Sequence, residues 1–282
     1  MMNKTSSLIE QINEFVMKEN FQLPVFNDVA MRILKMARHE DFDIREMSHL
    51  IYQDQVLVAE VLKAANSPFF GGLSAITTVK DAIVRLGARQ VSELVLIAAE
   101  RIHYRAADKK LNKLLNKLWK HSVACAIGSQ WLARRLSYHE KDNEAFIGGL
   151  LHDIGKLFLL RVIDTMQESK ELSFTISYEL SYELINSFHA DQGYKLLTQW
   201  NLPRIYCEIA RDHHSLEFAP ENIPLLLVRL TNQACDKLGL GMNHDPSIVL
   251  VSAPEATTLR IKEIVLAELE VMLEDTMQIA AG

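Results

Sequence analysis

The sequence is short of the residues that break helices. Its 282 residues hold 11 glycines and 7 prolines, and no low-complexity segment interrupts them, which argues against a long disordered tail. It is short of cysteine as well: Cys125, Cys207 and Cys235 stand far apart. They lack the spacing of metal-binding pairs, and an odd number cannot all close intramolecular disulfides. Buried reduced thiols in a cytoplasmic protein fit best. No apolar run reaches membrane-spanning length, and the opening Met1-Met2-Asn3-Lys4-Thr5 has no hydrophobic signal core. A membrane is therefore not an expected partner, and the expected location is the cytosol. Positive charge is not in excess either. The net charge of −6 argues against an electrostatic grip on a nucleic-acid polymer, whose phosphates call for a cationic face, a local basic patch aside. The run Lys109, Lys110, Lys113, Lys117 and Lys120 reads as a solvated helix face. Strand alternation is lacking except at Ile248 to Val251.

What is present is helical periodicity. Hydrophobic residues make up 49% and charged residues 23%, ordinary for a soluble globular chain long enough for one large domain or two smaller ones. Leu8, Ile9, Ile12, Phe15 and Val16 form one stripe behind a capping-box pattern from Ser7 to Glu10. Leu23-Pro24 breaks that helix, and Asn27 can cap the next, which carries Ile33, Leu34 and Ala37. Asp43 to Glu46 opens a third, with Met47, Leu50 and Ile51. A fourth runs from Gln55 to Ala65 and stops before Pro68. Phe69 to Ser74 is a glycine-punctuated loop. Thr78 to Asp81 starts a helix ending at Gly87, and another spans Ala88 to Tyr104. The polar stretch Arg105 to Lys110 is the candidate boundary between two lobes. Beyond it helices are expected near 111–136, 143–163, 179–200, 203–214 and 223–239. Gly239 to Thr257 reads as a loop or linker, and a closing acidic helix offers Leu259, Ile264, Leu269 and Met272 for packing. The class is all-α.

Several ionisable residues fall on apolar faces. "GGLLHDIGKLFLL" sets His152, Asp153 and Lys156 in an apolar run, where each needs a partner to offset desolvation. His152 and Asp153 point about 100° apart on a helix, yet both can reach one ion beside it. His121 aligns with Leu114, Leu118, Cys125 and Leu132, and so faces inward. His189 aligns with Gly193, Leu196 and Trp200. His213 and His214 close the helix that Pro203 begins, and Asn232 shares a face with Leu225, Val228 and Cys235. One inward histidine is commonplace; five on four helices resemble the converging ligands of a bundle metal site. Imidazole with carboxylate suits Fe, Mn, Zn or Ni.

"GGLLHDIGK" resembles the central motif of the HD superfamily of metal-dependent phosphohydrolases. By that resemblance His121, His152 and Asp153 are metal ligands, with Asn232 in "VRLTNQACDKLG" where the last aspartate is expected. His189, with Gly193 four residues on, and the His213-His214 pair match the additional ligands of the HD-GYP branch. "VLKAANSPFF", then "TTVKDAIVRLGARQVSELVL", "HADQGYKLLTQWNLP" and the "HH" pair are similar to the HDOD domain, a bacterial signalling relative. The resemblance runs from about Leu23 to Gly239. It implies a multi-helix bundle of two packed lobes: an N-terminal HDOD lobe over 1–107, an HD-like lobe over 108–240, and a linker with an acidic helix over 241–282. HDOD domains are generally regulatory. Two features separate this chain from the hydrolases. Asn232 offers an oxygen without negative charge, and Ser215 to Phe218 stands where HD-GYP enzymes carry Gly-Tyr-Pro.

The sequence thus supports a regulatory HDOD module acting through a protein partner, with a polar or metal-binding pocket and little or no hydrolysis. The competing reading is a phosphohydrolase acting on a nucleotide or other phosphoester, with Asp153 and Lys156 as catalytic candidates. In that reading Lys156, one turn past His152, meets the substrate phosphate; its plain alternative is a lysine reaching solvent. A scaffold without any ligand is a third possibility, and the histidine cluster is its difficulty.

Overall fold

The computed structural model describes residues 9–16, 28–37, 42–67, 75–106, 108–169 and 178–280. The Ser7 capping box, the Leu23-Pro24 break, the Asn27 cap and the Phe69 to Ser74 loop lie outside them. Among the described residues every regular element is helical, so the all-α class holds. The chain divides into two compact units: Pro24–Arg105, and Met1–Leu23 together with Ala106–Gly282.

The smaller unit holds α1 (Asp28–Met36), α2 (Ile44–Tyr52), α3 (Gln55–Ala65), α4 (Val79–Leu86) and α5 (Ala88–Arg101). Short polar side chains start the helices by accepting otherwise orphaned backbone N–H groups. Asp43 accepts from Arg45 N, Asp54 from Val56 N and Leu57 N, and Thr78 from Asp81 N. Gly87, at φ +84°, ends α4 and starts α5, a conformation that costs glycine little. Met47, Ile51, Val61, Val79, Val91, Val95 and Leu96 are fully buried and supply the hydrophobic stabilisation. The Asn66 amide closes the interval before α4: its nitrogen donates to Leu62 O and Ile76 O, and its oxygen accepts from Ile76 N.

The larger unit is organised around α6 (Lys109–Arg135), 27 residues long and so about 40 Å from end to end. Around it lie α7 (Asp142–Leu151), α8 (Ile154–Glu168), α9 (Tyr178–Gln199), α10 (Arg204–Asp212), α11 (Ile223–Leu238), α12 (Pro254–Thr258) and α13 (Glu263–Ala280). The expected lysine face is solvated: Lys109, Lys110, Lys113 and Lys117 are exposed and Lys120 is half-buried. Asn222 caps α11, and Gly239 ends it in the left-handed conformation. One core joins Ala124, Cys125 and Leu132 of α6, Leu226, Leu230 and Cys235 of α11, and Val265, Leu269 and Leu273 of α13.

Three expectations need correcting. The helix expected over 143–163 is two helices, with the break at His152 and Asp153. The stretch at Ile248 to Val251 forms no strand; Leu250–Ser252 is a 3-10 turn leading into α12, and Leu250, Ala253, Ala256 and Leu259 join the core. On α13, Leu269 packs inward and Met272 lies against the core, but Ile264 is 61% exposed. It sits in the first turn of α13, on the side away from Val265 and Leu269.

The break at the His-Asp pair is flanked by close backbone approaches. A Cβ on Gly149 would overlap the Cys125 carbonyl of α6, and one on Gly155 would overlap the His189 carbonyl of α9. These neighbours are backbone and cannot rotate away. At Gly148 the obstacle is instead the end of the Ile209 side chain. Gly155→Ala is therefore expected to destabilise the protein by at least about 1–3 kcal/mol, and by more than Gly148→Ala. Urea denaturation of the two variants measures the difference.

Candidate metal centre

Four histidines of the larger unit are oriented by the same device. His121 Nδ1 donates to Leu240 O at 3.0 Å, His152 Nδ1 to Gly149 O at 2.8 Å, His189 Nδ1 to Ile185 O at 2.8 Å, and His213 Nδ1 to Ala210 O at 2.9 Å. A carbonyl oxygen can only accept, so each Nδ1 carries its proton, and each neutral ring keeps a lone pair on Nε2. This is the arrangement by which metal-binding histidines are commonly held. The four Nε2 atoms converge in pairs: His121 with His152 at 3.2 Å, and His189 with His213 at 3.2 Å.

Asp153 lies between the pairs. Its Oδ2 is 3.4 Å from Nε2 of both His121 and His152. Its Oδ1 is 3.5 Å from His189 Nε2 and 3.4 Å from His213 Nε2. Lys156 donates to Oδ2 at 2.8 Å, whereas Oδ1 is buried and makes no hydrogen bond. The helix break makes this possible, for the His152 ring turns back onto the last turn of α7 while Asp153 opens α8. Lys156 does not reach solvent: it is 3% exposed and committed to Asp153. His214 is the exposed member, with its ring 4.1 Å from that of His213 and 5.3 Å from that of His189.

The segment carrying His213 and His214 is fixed from outside the cluster. Arg229 Nη1 donates to Asp212 O at 2.8 Å and to Ser215 O at 2.7 Å. Its Nε bonds Glu255, which is wholly buried, and its guanidinium lies over the Phe218 ring. An arginine clamp of this kind sets where the two histidines stand without touching them.

Burial dominates the electrostatics. It lowers His152 to about 3 and His214 to about 4 despite the attraction of Asp153, and it moves His189 and His213 downward too. Burial also works against a charged His121, but the Cys235 hydrogen bond and Asp153 outweigh it and raise that ring to about 9. Burial would push Asp153 up; Lys156 and the surrounding imidazoles prevail and hold it well below the usual carboxylate range. The Cys125 hydrogen bond and His121 bring Cys235 down against burial, while burial and Cys235 send Cys125 up.

The structure thus brings together His121, His152, Asp153, Lys156, His189, His213 and His214. Asn232 is buried on α11, three residues before Cys235, and takes no part in the hydrogen bonds and ion pairs among the others. Sequence reasoning missed three neighbours. Cys125 lies 3.7 Å from His121 Nε2 and Cys235 lies 3.7 Å from Cys125. Asp236 is close enough for the charges of His121 and Lys156 to act on it, although burial raises it overall. Helical spacing held a signal: Cys125 follows His121 by four residues, and Asp236 follows Asn232 by four. The donors fit a divalent transition ion, since the lone pairs of His189 and His213 face one another at 3.2 Å and a buried carboxylate oxygen lacks a donor. They fall into two groups that could each hold an ion: Asp153, His189, His213 and His214; and His121, Cys125 and His152.

The model of the HDOD domain family matches residues 23–216. An uncharacterized protein of Treponema pallidum (strain Nichols) is 24% identical over 213 residues, covering 73% of this chain and 40% of that protein. The chain thus spans well under half of that relative. Among solved structures, an HDOD domain protein of unknown function from Geobacter sulfurreducens is 22% identical, with a TM-score of 0.72 and 97% of each chain covered. A Shewanella amazonensis SB2B protein, provisionally named a metal-dependent phosphohydrolase, is 15% identical. Its TM-score is 0.68, with 97% of this chain and 100% of that chain covered. These likenesses establish the fold.

The depressed histidines make stability depend on pH. With folded values of about 3 for His152 and about 4 for His214 against an ordinary 6.5, the unfolded chain takes up protons first. Their stabilisation is present above 6.5 and is lost as pH falls toward about 4. His121 has the opposite sign: its contribution is complete below 6.5 and is lost as pH rises through about 9. The Tm of chelator-treated protein is therefore expected to fall from pH 6.5 to about 4, and His152→Gln should flatten that fall. Thermal melts across this range check it, and a flat wild-type profile contradicts it.

Proposed function

The chain belongs to the HDOD domain family, and from that premise we propose that it is a regulatory module of bacterial signalling. It binds a divalent transition ion in the His-Asp cluster and has little or no hydrolase activity. Its output passes through contact with a protein partner. The observation that carries this reading is the enclosure of a complete donor set: His121, His152, His189 and His213 are at most 3% exposed and Asp153 1%. Donors this organised suit ion binding, whereas a phosphoester also needs an approach to them. Lys156, the cation that the sequence offered to a substrate phosphate, is bound to Asp153 Oδ2 at 2.8 Å. Asn232 adds no charge to offset a second ion.

A second reading, metal-dependent phosphohydrolase, is favoured by one specific feature. Asp153 presents one oxygen to each histidine pair, as a carboxylate shared by two ions does. An ion bound there would supply Lewis acidity to a phosphoester oxygen. The chain's own contribution would be orientation through the Nδ1 hydrogen bonds, a charge-neutralising Lys156, and exposed His214 at the edge where a substrate could enter.

Elemental analysis of untagged protein, purified without chelators, tests the favoured reading. Bound Fe, Mn, Zn or Ni is expected in the wild type and its loss in His152→Ala. Phosphodiester and nucleotide hydrolysis should be absent, or no different in Asp153→Ala. A clean protein without metal refutes the metal-binding part, and turnover abolished by Asp153→Ala establishes the hydrolase instead.

A further inference from the structure

The family pattern accounts for histidine and carboxylate ligands but not for the two sulfurs beside them. Cys125 stands one turn beyond His121 on α6, and Cys235 faces it from α11; both are fully buried. Cys125 Sγ is 3.7 Å from His121 Nε2 and 3.7 Å from Cys235 Sγ, and His121 Nε2 is 3.2 Å from His152 Nε2. A tetrahedral ion with metal–nitrogen bonds of about 2.0–2.1 Å and metal–sulfur bonds of about 2.3 Å has known edges. They are roughly 3.3 Å between nitrogens, 3.6 Å between nitrogen and sulfur, and 3.8 Å between sulfurs. Each of the three observed separations lies within about 0.1 Å of such an edge. His121, Cys125 and His152 already form one donor group, and Cys235, beside Cys125 but outside that group, joins as fourth ligand by a small inward shift of its side chain.

Charge points the same way. A divalent ion between His121 and His152 needs negative ligands, and the position where the family pattern expects an aspartate is Asn232. Cys235 is three residues further along α11, on the same face of the helix. We propose that the His121–His152 half of the cluster is a sulfur-bearing metal site. Cys125 and Cys235 supply as thiolates the charge that Asn232 lacks, and they select a thiophilic ion such as Zn²⁺ over Mn²⁺. On binding, each coordinating thiol forms an S–metal bond, its S–H bond breaks and the proton leaves to solvent; nothing is oxidised. Thiolate favours Zn²⁺ over harder ions, whereas imidazole and carboxylate alone discriminate less. The alternative is a pair of core thiols that hydrogen-bond each other and His121.

This proposal rests on the metal-binding reading above, and the test separates the two. Co²⁺ is titrated into the chelator-treated 282-residue chain under a phosphine reductant, with bound metal counted by elemental analysis. The wild type should develop a sulfur-to-cobalt charge-transfer band in the near ultraviolet that Zn²⁺ abolishes. The band should weaken in Cys125→Ser and in Cys235→Ser and vanish in the double variant. Zn²⁺ affinity should fall at least about 10-fold in Cys235→Ser with Mn²⁺ affinity unchanged. Cobalt bound without the band, or a band that survives in the double variant, overturns the sulfur proposal and leaves the metal-binding reading standing. A folded wild type that binds no cobalt overturns both. The wild-type spectrum decides the matter even if a variant does not fold.

Discussion

The larger unit depends on one buried carboxylate. Asp153 is 1% exposed, and an uncompensated charge at that depth costs several kcal/mol. Lys156, from the next turn of α8, neutralises one oxygen. The other faces two Nε2 atoms whose own protons are on the far side of their rings, because each Nδ1 is committed to a backbone carbonyl. The carboxylate therefore dictates what surrounds it. That oxygen and the lone pairs facing it are all acceptors, so they call for a proton or a cation shared among them, and the helices that carry them must come close enough to form a shell.

Two kinds of contact meet that requirement. Gly149 and Gly155 let the backbones of α6 and α9 approach on either side of the His-Asp pair, where a side chain would force them apart. Arg229 holds the Asp212 to Ser215 segment by its carbonyls and is itself held by buried Glu255. Neither contact involves a donor atom of the cluster, yet both determine where donors stand. A change at either is expressed in the site through position, not chemistry.

The same distinction explains what the sequence disclosed. Local physics was legible: apolar spacing located the helices to within a few residues, and Thr78, Gly87 and Gly239 marked ends that the structure bears out. The inward histidines were legible because an imidazole on an apolar stripe is conspicuous. What was not legible arises between distant segments. Cys125 and Cys235 are 110 residues apart, so no spacing rule joins them, although their sulfurs lie 3.7 Å from each other. The break at His152 was hidden because the apolar residues keep helical spacing across it, and Gly148, Gly149 and Gly155 lower helix propensity without marking where a helix ends; the His152–Gly149 hydrogen bond and the Gly155–His189 approach accompany it. Lys156 looked like a residue with a choice between solvent and phosphate because its partner is a carboxylate whose burial only the fold decides.

Charge balance connects these points to function. With Lys156 and His121 protonated, Asp153 and Cys235 ionised and the other imidazoles neutral, the cluster carries no net charge, so a divalent ion would add two positive charges to a buried site unless protons leave. An aspartate at position 232 would offset one of them, and Asn232 offsets none. The protons that such an ion would displace are the thiol proton of Cys125, which burial holds on, and the second ring proton of His121, raised to about 9. Metal binding as proposed would therefore be bound up with proton release, more than in a cluster built from ionised carboxylates. An anionic phosphoester could supply the missing charge, but it would have to enter a shell whose four oriented imidazoles are at most 3% exposed. The sulfurs already stand inside it. On the proposed reading, internal thiols would compensate the ion more readily than an incoming substrate, and a centre compensated from within would favour a stably held ion over turnover.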